Sequence, residues 1–217
     1  MTQLSRPCKF YFIRHGESMA NKNHQVQGKE ESPLSPLGLS QAQETAQWFK
    51  DKHINCIFSS PLKRAYQTAS IIAEQLDIKV QKKPIMQELD TGILSGLSFK
   101  QIRTDYTHLW KHFLLHSWEG IPQAESIKSL RKRALAIWQL LLRHHQNTPL
   151  LAVMHEGILQ WILKVTFCTK EKQWMPLFQI ENCGIFLFSA HPIMFKKQRS
   201  YIGTWKLLNH KAYRFSE

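Results

Sequence analysis

A chain of 217 residues, 43% of them hydrophobic, is long enough to bury one sizeable core and short for two, and that apolar share excludes wholesale disorder. A formal net charge of +13 and a pI near 9.7 favour anionic partners: phosphorylated metabolites, nucleic acid or an acidic membrane surface. The clusters Arg131-Lys132-Arg133 and Lys196-Lys197-Gln198-Arg199 read as solvated faces, so nucleic acid is not required as a partner.

In chain order, residues 9–14 (KFYFIR) form an apolar run that reads as a buried strand and stops abruptly at Arg14-His15-Gly16. The polar stretch 18–33 reads as loop. Ser35 and Pro36 then open a helix whose apolar positions Leu39, Ala42, Ala46 and Phe49 recur at helical spacing. NCIFSSP (55–61) is a short strand with Pro61 opening a second helix, which presents Ala65, Ala69, Ile72, Ala73 and Leu76 on one face. KVQKKPIMQEL is extended to near Glu88, SFKQIRTDYTHLWKHFLLH is helical, and AESIKSLRKRALAIWQLLLRHHQ is a long helix. PLLAVMH (149–155) is another buried strand, GILQWILKVTF its following helix, and QIENCGIFLFSAH and YIGTWKLLNH close the chain as strands.

Strands alternating with helices predict an α/β fold, a three-layer α/β/α sandwich around a mostly parallel central sheet. No repeat, low-complexity tract or Pro/Gly-rich linker divides residues 1–217, so a single domain is expected. Cys8, Cys56, Cys168 and Cys183 lie far apart without a CxxC pair, consistent with reduced thiols rather than a zinc site. The N-terminus lacks an apolar secretory core and no run is long enough to span a membrane, so a cytoplasmic protein without a membrane partner is expected. The oligomeric state stays open, a dimer included.

In a parallel sheet three strand ends gather on one edge, where α/β proteins bind ligands. The first brings Arg14 and His15, the second Arg64 within one helical turn of Ser60-Pro61, and the third His155, followed by Glu156 and Gly157. There is no GxxxxGK(S/T) phosphate loop, no GxSxG elbow, no second His to complete HExxH and no acidic cluster for magnesium; no metal and no cofactor are expected.

FIRHGESMAN resembles the RHGE(S/T)xxN signature of the histidine phosphatase superfamily, also called phosphoglycerate mutase-like. Further blocks occur in the family's order across about residues 9–185. QGKEESPLSPLGLSQA is similar to QGxxDxPLTxxGxxQA, IFSSPLKRAYQTA to SSxLxRAxQTA, and MQELDTGILSGLS to LxExxxGxxxGxx. AVMHEGI stands where the family has a strand ending in His-Gly-Gly.

The resemblance implies a metal-independent phosphomonoester hydrolase acting through phosphohistidine on a small phosphorylated metabolite. His15 would be the nucleophile, Glu88 the proton donor and His155 a donor to phosphoryl oxygens, with Arg14 and Arg64 as forks for the phosphate dianion. A main-chain carbonyl is the expected partner for the second nitrogen of His15. Asn21, Gln27 and Gly28 match loop positions that close over the phosphate, and Gly28 and Gly157 suit close backbone approach. Glu17, beside the nucleophile, is expected to serve structure.

Mutases of the superfamily hold their substrate carboxylate with a Tyr, a Lys and an Arg pair. Thr91 and Phe99 stand at the first two positions and no Arg-Arg pair follows before Glu125. Mutase-type transfer and a non-catalytic phospho-ligand binding protein are the alternatives. Glu156 departs from the family Gly and is expected to point away from the anion. Segment 95–125, with Trp110, His112, Phe113, His116 and Trp118, is expected to form a substrate-selecting lid.

Overall fold

The computed structural model describes residues 6–114, 118–144, 148–167, 179–195 and 198–212. Six strands, β1 (Cys8–Arg14), β2 (Cys56–Ser59), β3 (Val80–Lys82), β4 (Leu150–Met154), β5 (Ile185–Phe195) and β6 (Gln198–His210), form one sheet in the order β3-β2-β4-β1-β5-β6. The first four are mutually parallel; β5 and β6 add an antiparallel edge. This is the expected α/β fold with a mostly parallel central sheet.

Both faces of the sheet are covered, which is why β1 and β4 are apolar without alternation. Phe10, Phe12, Leu150, Ala152 and Met154 pack on one side with helices α6 (Ile127–His144) and α7 (Glu156–Thr166). Tyr11, Ile13, Leu151 and Val153 pack on the other with α2 (Pro36–Phe49) and α3 (Lys63–Leu76). Trp138 of α6 sits with its ring centroid 5.4 Å from Phe10 and 5.0 Å from Phe188, an edge-on arrangement that locks α6 to the sheet. Among the described residues no helix is long and apolar enough to cross a membrane.

Four local expectations are revised. Ser18 starts a four-residue helix, α1 (Met19–Lys22), inside the predicted loop, because Ser18 and Asn21 close a reciprocal capping box. Leu39 of α2 is exposed, and Gln41 and Thr45 take buried places on that helix. Leu62, not Pro61, caps α3. The predicted helix from residue 98 breaks at Tyr106 into α4 (Phe99–Asp105) and α5 (Thr107–Leu114).

The expected lid, 95–125, is anchored by its own small core of Val26, Leu94, Ile102, Leu109 and Ile121, with Trp110 and Trp118 against it. Of the sequence-stretch candidates there, His116 and the Phe113 side chain lie outside the described residues, as does Cys168.

The N-terminus of α2 is pressed onto the turn after β1. Ser35 caps Gly38 N at 3.0 Å, donates from its hydroxyl to Glu17 Oε1 at 2.6 Å, and donates from its backbone N–H to Glu17 O at 2.8 Å. A Cβ on Gly38 would lie 2.8 Å from the Glu17 carbonyl carbon and 2.9 Å from its nitrogen, backbone atoms that cannot yield alone. Gly38→Ala should therefore cost about 1–3 kcal/mol, seen as a lower urea midpoint at unchanged m-value, and should lower activity because the Glu17 turn carries the residue after His15-Gly16.

Candidate active site

Three strand ends do converge. The β1–β4 ladder continues one residue beyond β1, with His15 N donating to Met154 O at 3.0 Å, and Ser60 N, one residue beyond β2, donates to Val153 O at 3.0 Å on the other side of β4. The imidazoles of His15 and His155 lie 5.1 Å apart.

His15 is fixed at both nitrogens. Nδ1–H donates to Gly16 O at 2.7 Å, the main-chain partner expected, and Nε2 accepts from Arg64 Nε at 3.1 Å. Nε2 is thus the unprotonated nitrogen. Burial, then the guanidiniums of Arg64 and Arg14, hold the imidazole pKa well below 6.5; the Gly16 bond opposes them weakly.

Arg64 is itself buried. Beyond His15 it donates to Glu30 O at 2.8 Å and Gly28 O at 2.7 Å, so the loop after α1 holds it in place. Three of its contacts are thus internal, and it is less the open phosphate fork expected than a braced cation. Burial lowers its pKa to about 10 despite the carboxylates of Glu88 and Glu31.

Arg14 donates from Nη1 to Ile180 O and meets Glu156 Oε2 at 2.9 Å, while its buried Nε has no partner. Glu156 therefore points into the anion site, against expectation: a carboxylate leaving the first residue of α7 finds Arg14 within reach.

His155 is fully buried, one layer behind the cavity wall. Nε2 bonds the Ser60 hydroxyl at 2.8 Å and Nδ1 is an orphan. Burial and the nearby cations push its pKa well below 6.5 as well.

Glu88 lines the cavity. Its Oε1 accepts Leu89 N at 2.8 Å and Ile158 N at 3.0 Å, and Oε2 accepts Gly157 N at 3.0 Å. A Cβ at Gly157 would stand 2.7 Å from Glu88 Oε1, so the missing side chain makes room for the carboxyl rather than for a phosphate. Burial raises the Glu88 pKa, outweighing the three N–H donors and Arg64.

Asn21 Oδ1 accepts from Ser18 N at 3.1 Å and Gln27 Oε1 accepts the single proton of the Ser18 hydroxyl at 2.8 Å, which leaves the amide nitrogens as the ends available to an anion. Both residues and Gly28 line the cavity, of about 250 Å³, with Arg14, His15, Arg64, Glu88 and Gly157. Glu17, bonded to Ser35, is structural as expected. Of the candidate lid residues Trp118 reaches the wall, joined by Phe99.

Sequence reasoning missed Arg133. It is no solvated residue: it pairs with Glu125 at 2.5 Å and donates to Gln87 O at 2.5 Å and Ile85 O at 3.2 Å, clamping the segment that carries Glu88. Asn182 and Ser60 were also missed; the first donates to His15 O at 3.0 Å and the second orients His155. Among the described residues no three His, Cys, Asp or Glu side chains gather as a metal site.

Two buried imidazoles beside two guanidiniums thus stand at the carboxyl edge of the parallel part of the sheet in an α/β protein. The model of the histidine phosphatase superfamily (branch 1) matches residues 10–200, and the chain belongs to that superfamily. A relative from Proteus mirabilis described as "probable phosphoglycerate mutase GpmB" is 33% identical over 177 residues, 81% of each chain. A phosphoserine phosphatase from Entamoeba histolytica, solved with phosphoserine, is 28% identical with TM-score 0.74, covering 94% of this chain and 98% of that one. A mycobacterial glucosyl-3-phosphoglycerate phosphatase solved with VO3 shares the fold at TM-score 0.79 and 22% identity, over 94% of this chain and 99% of that one.

The two pKa shifts work in opposite directions on the pH profile. If neutral His15 attacks and protonated Glu88 donates, kcat/KM should fall on the acid side through a pKa well below 6.5 and on the alkaline side through one above 4.5. The expected profile is a bell with its acid limb set by His15 and its alkaline limb by Glu88. Glu88→Gln should remove the alkaline limb that substrate ionisation does not account for, and leave the acid limb in place.

Proposed function

We propose that the protein hydrolyses phosphomonoesters by way of a phosphohistidine on His15. The observation that carries this reading is the His15 tautomer: Nδ1–H held on Gly16 O leaves Nε2 unprotonated at the wall of a cavity that Arg14 and Arg64 also line, its lone pair accepting from Arg64 Nε at 3.1 Å until phosphorus takes that donor's place. Nε2 attacks phosphorus, the P–O ester bond breaks, and the departing oxygen takes the proton of Glu88. Oε2, which accepts one N–H against two at Oε1, is the oxygen with room for that proton. The Glu88 carboxylate then takes a proton from water as that water attacks phosphorus, the N–P bond breaks, and inorganic phosphate leaves. Arg14 offsets the charge on the phosphoryl oxygens and the amide nitrogens of Asn21 and Gln27 donate to them, while His155, held by Ser60 with its ring 5.1 Å from that of His15, backs the nucleophile rather than reaching the phosphoryl group as a direct donor. The reaction as written needs no metal and no cofactor.

Mutase-type transfer is the second reading, supported by the description of the Proteus mirabilis relative. The composition of the wall favours water as the acceptor. Thr91 is bonded to Ser95 at 2.6 Å, Phe99 brings a ring where mutases bring a Lys, and exposed Lys100 is not among the lining residues. Among the described residues Arg14 and Arg64 are the cations on the wall, which leaves no separate cation there for a substrate carboxylate.

The purified protein should release phosphate from 4-nitrophenyl phosphate in the presence of EDTA. Brief reaction with labelled ester should leave acid-labile, base-stable label on His15, and His15→Ala should lose both label and turnover. Interconversion of phosphoglycerates faster than their hydrolysis establishes the mutase reading instead. Phosphate binding without turnover establishes a binding protein.

A further inference from the structure

Resting on the phosphomonoesterase reading, we propose that the site selects esters whose leaving group carries a cation, an ammonium or quaternary ammonium a short spacer from the ester oxygen, held by Glu156 against the aromatic part of the wall. The argument begins with charge. Glu156 Oε2 sits 2.9 Å from Arg14 Nη1, with the Glu156 side chain 37% exposed and that of Arg14 14%, and both residues line the cavity. A phosphate that engages Arg14 must share it with this carboxylate, since Nη1 already serves both Glu156 and Ile180 O. Sharing one guanidinium brings phosphate and carboxylate within its width of each other. Among the described residues the wall carries two guanidiniums, against a phosphate dianion and Glu156. Glu88, its pKa raised by burial, serves as the acid and does not alter that tally. One negative charge is left over, beside Arg14, in a partly desolvated cavity, and a cation on the ligand is the group that balances it.

The second strand of the argument is the character of the wall. Trp118, Phe99 and Trp161 line the same cavity as Glu156. Aromatic faces attract ammonium groups, and tryptophan does so best. The fold already uses one of these rings in that way: Lys164 Nζ stands 4.8 Å from the Trp161 ring centroid. Lys164 is not among the lining residues, so this cation takes one side of Trp161 from within the protein. Phe99 and Trp118 supply the remaining aromatic surface. An anionic leaving group meets the opposite: Glu156 repels it and no lining cation beyond Arg14 and Arg64 receives it.

The test compares choline phosphate and ethanolamine phosphate with 3,3-dimethylbutyl phosphate, a neutral ester of nearly the same shape as the first, and with 3-phosphoglycerate. Wild type, Glu156→Gln and Glu156→Gly are assayed for kcat/KM, and calorimetric affinities are measured for the same ligands on His15→Ala. Wild type should prefer the cationic esters over the neutral one by about 10-fold or more. In both Glu156 variants the preference should shrink to about threefold or less, the neutral ester gaining because Arg14 is released from its carboxylate. A wild type that does not distinguish choline phosphate from its neutral isostere overturns the proposal. So does a Glu156→Gln protein in which all esters gain equally, because Glu156 is then only a brake on Arg14. Absence of 4-nitrophenyl phosphate turnover would sink the phosphatase reading alone; the calorimetric affinities would still decide the cation preference.

Discussion

The pairing of β1 with β4 is the constraint on which the site depends. Its parallel register sets Arg14 opposite Met154, and the ladder runs on through His15 N to Met154 O at 3.0 Å. Two residues 140 positions apart in the chain are thereby placed side by side, with no contribution from their own side chains. β4 does the same on its other flank through Ser60 N and Val153 O. The strand ends sit on a buried, close-packed sheet, so the side chains that leave them inherit its precision. Arg64 enters from the first turn of α3, and Thr68 one turn later accepts from Gly16 N at 3.0 Å, tying the His15 turn to that helix.

That rigidity holds an arrangement that is electrostatically unfavourable without a ligand. Arg64 is buried with its pKa lowered to about 10, and the two imidazoles are held neutral by burial and by the cations beside them. The protein offsets part of this with backbone carbonyls, from Gly28 and Glu30 to Arg64 and from Gly16 to His15. Carbonyl dipoles satisfy the N–H groups without cancelling the charge. The site therefore keeps a net positive field for an incoming anion, and any dianion bound there adds to the stability of the folded state by linkage.

The strand ends were legible in the sequence because a buried parallel strand is an uninterrupted apolar run, and a cation or imidazole at its end is conspicuous. Alternation of strands with helices gave the layer order for the same reason. What sequence could not show was where long polar side chains reach. Arg133 looks like its neighbours Arg131 and Lys132, yet it lies on the inner edge of α6 and threads to the carbonyls of residues 85 and 87, a contact between distant segments. Leu39 fits the helical period, but the first turn of α2 is turned toward the Glu17 backbone, and Gly38 rather than Leu39 takes the inward position. The break between α4 and α5 carries no proline or glycine to announce it.

The start of α7 explains why residue 156 tolerates a carboxylate at all. A helix N-terminus, with its free N–H groups and positive dipole end, is a natural phosphate cradle. Here Gly157 N and Ile158 N are taken up by Glu88, which the absent side chain at Gly157 allows to come close. The helix end is thus committed to orienting Glu88, and the cations that reach the cavity wall among the described residues are Arg14 and Arg64. The same dipole favours Glu156 in the first turn, so for the stability of α7 the exchange of glycine for glutamate is favourable. Its cost falls on the ligand instead, through Arg14. Glu156 thus suits its helix while it stands 2.9 Å from Arg14, so the carboxylate that the helix dipole favours is also the one that competes for that guanidinium.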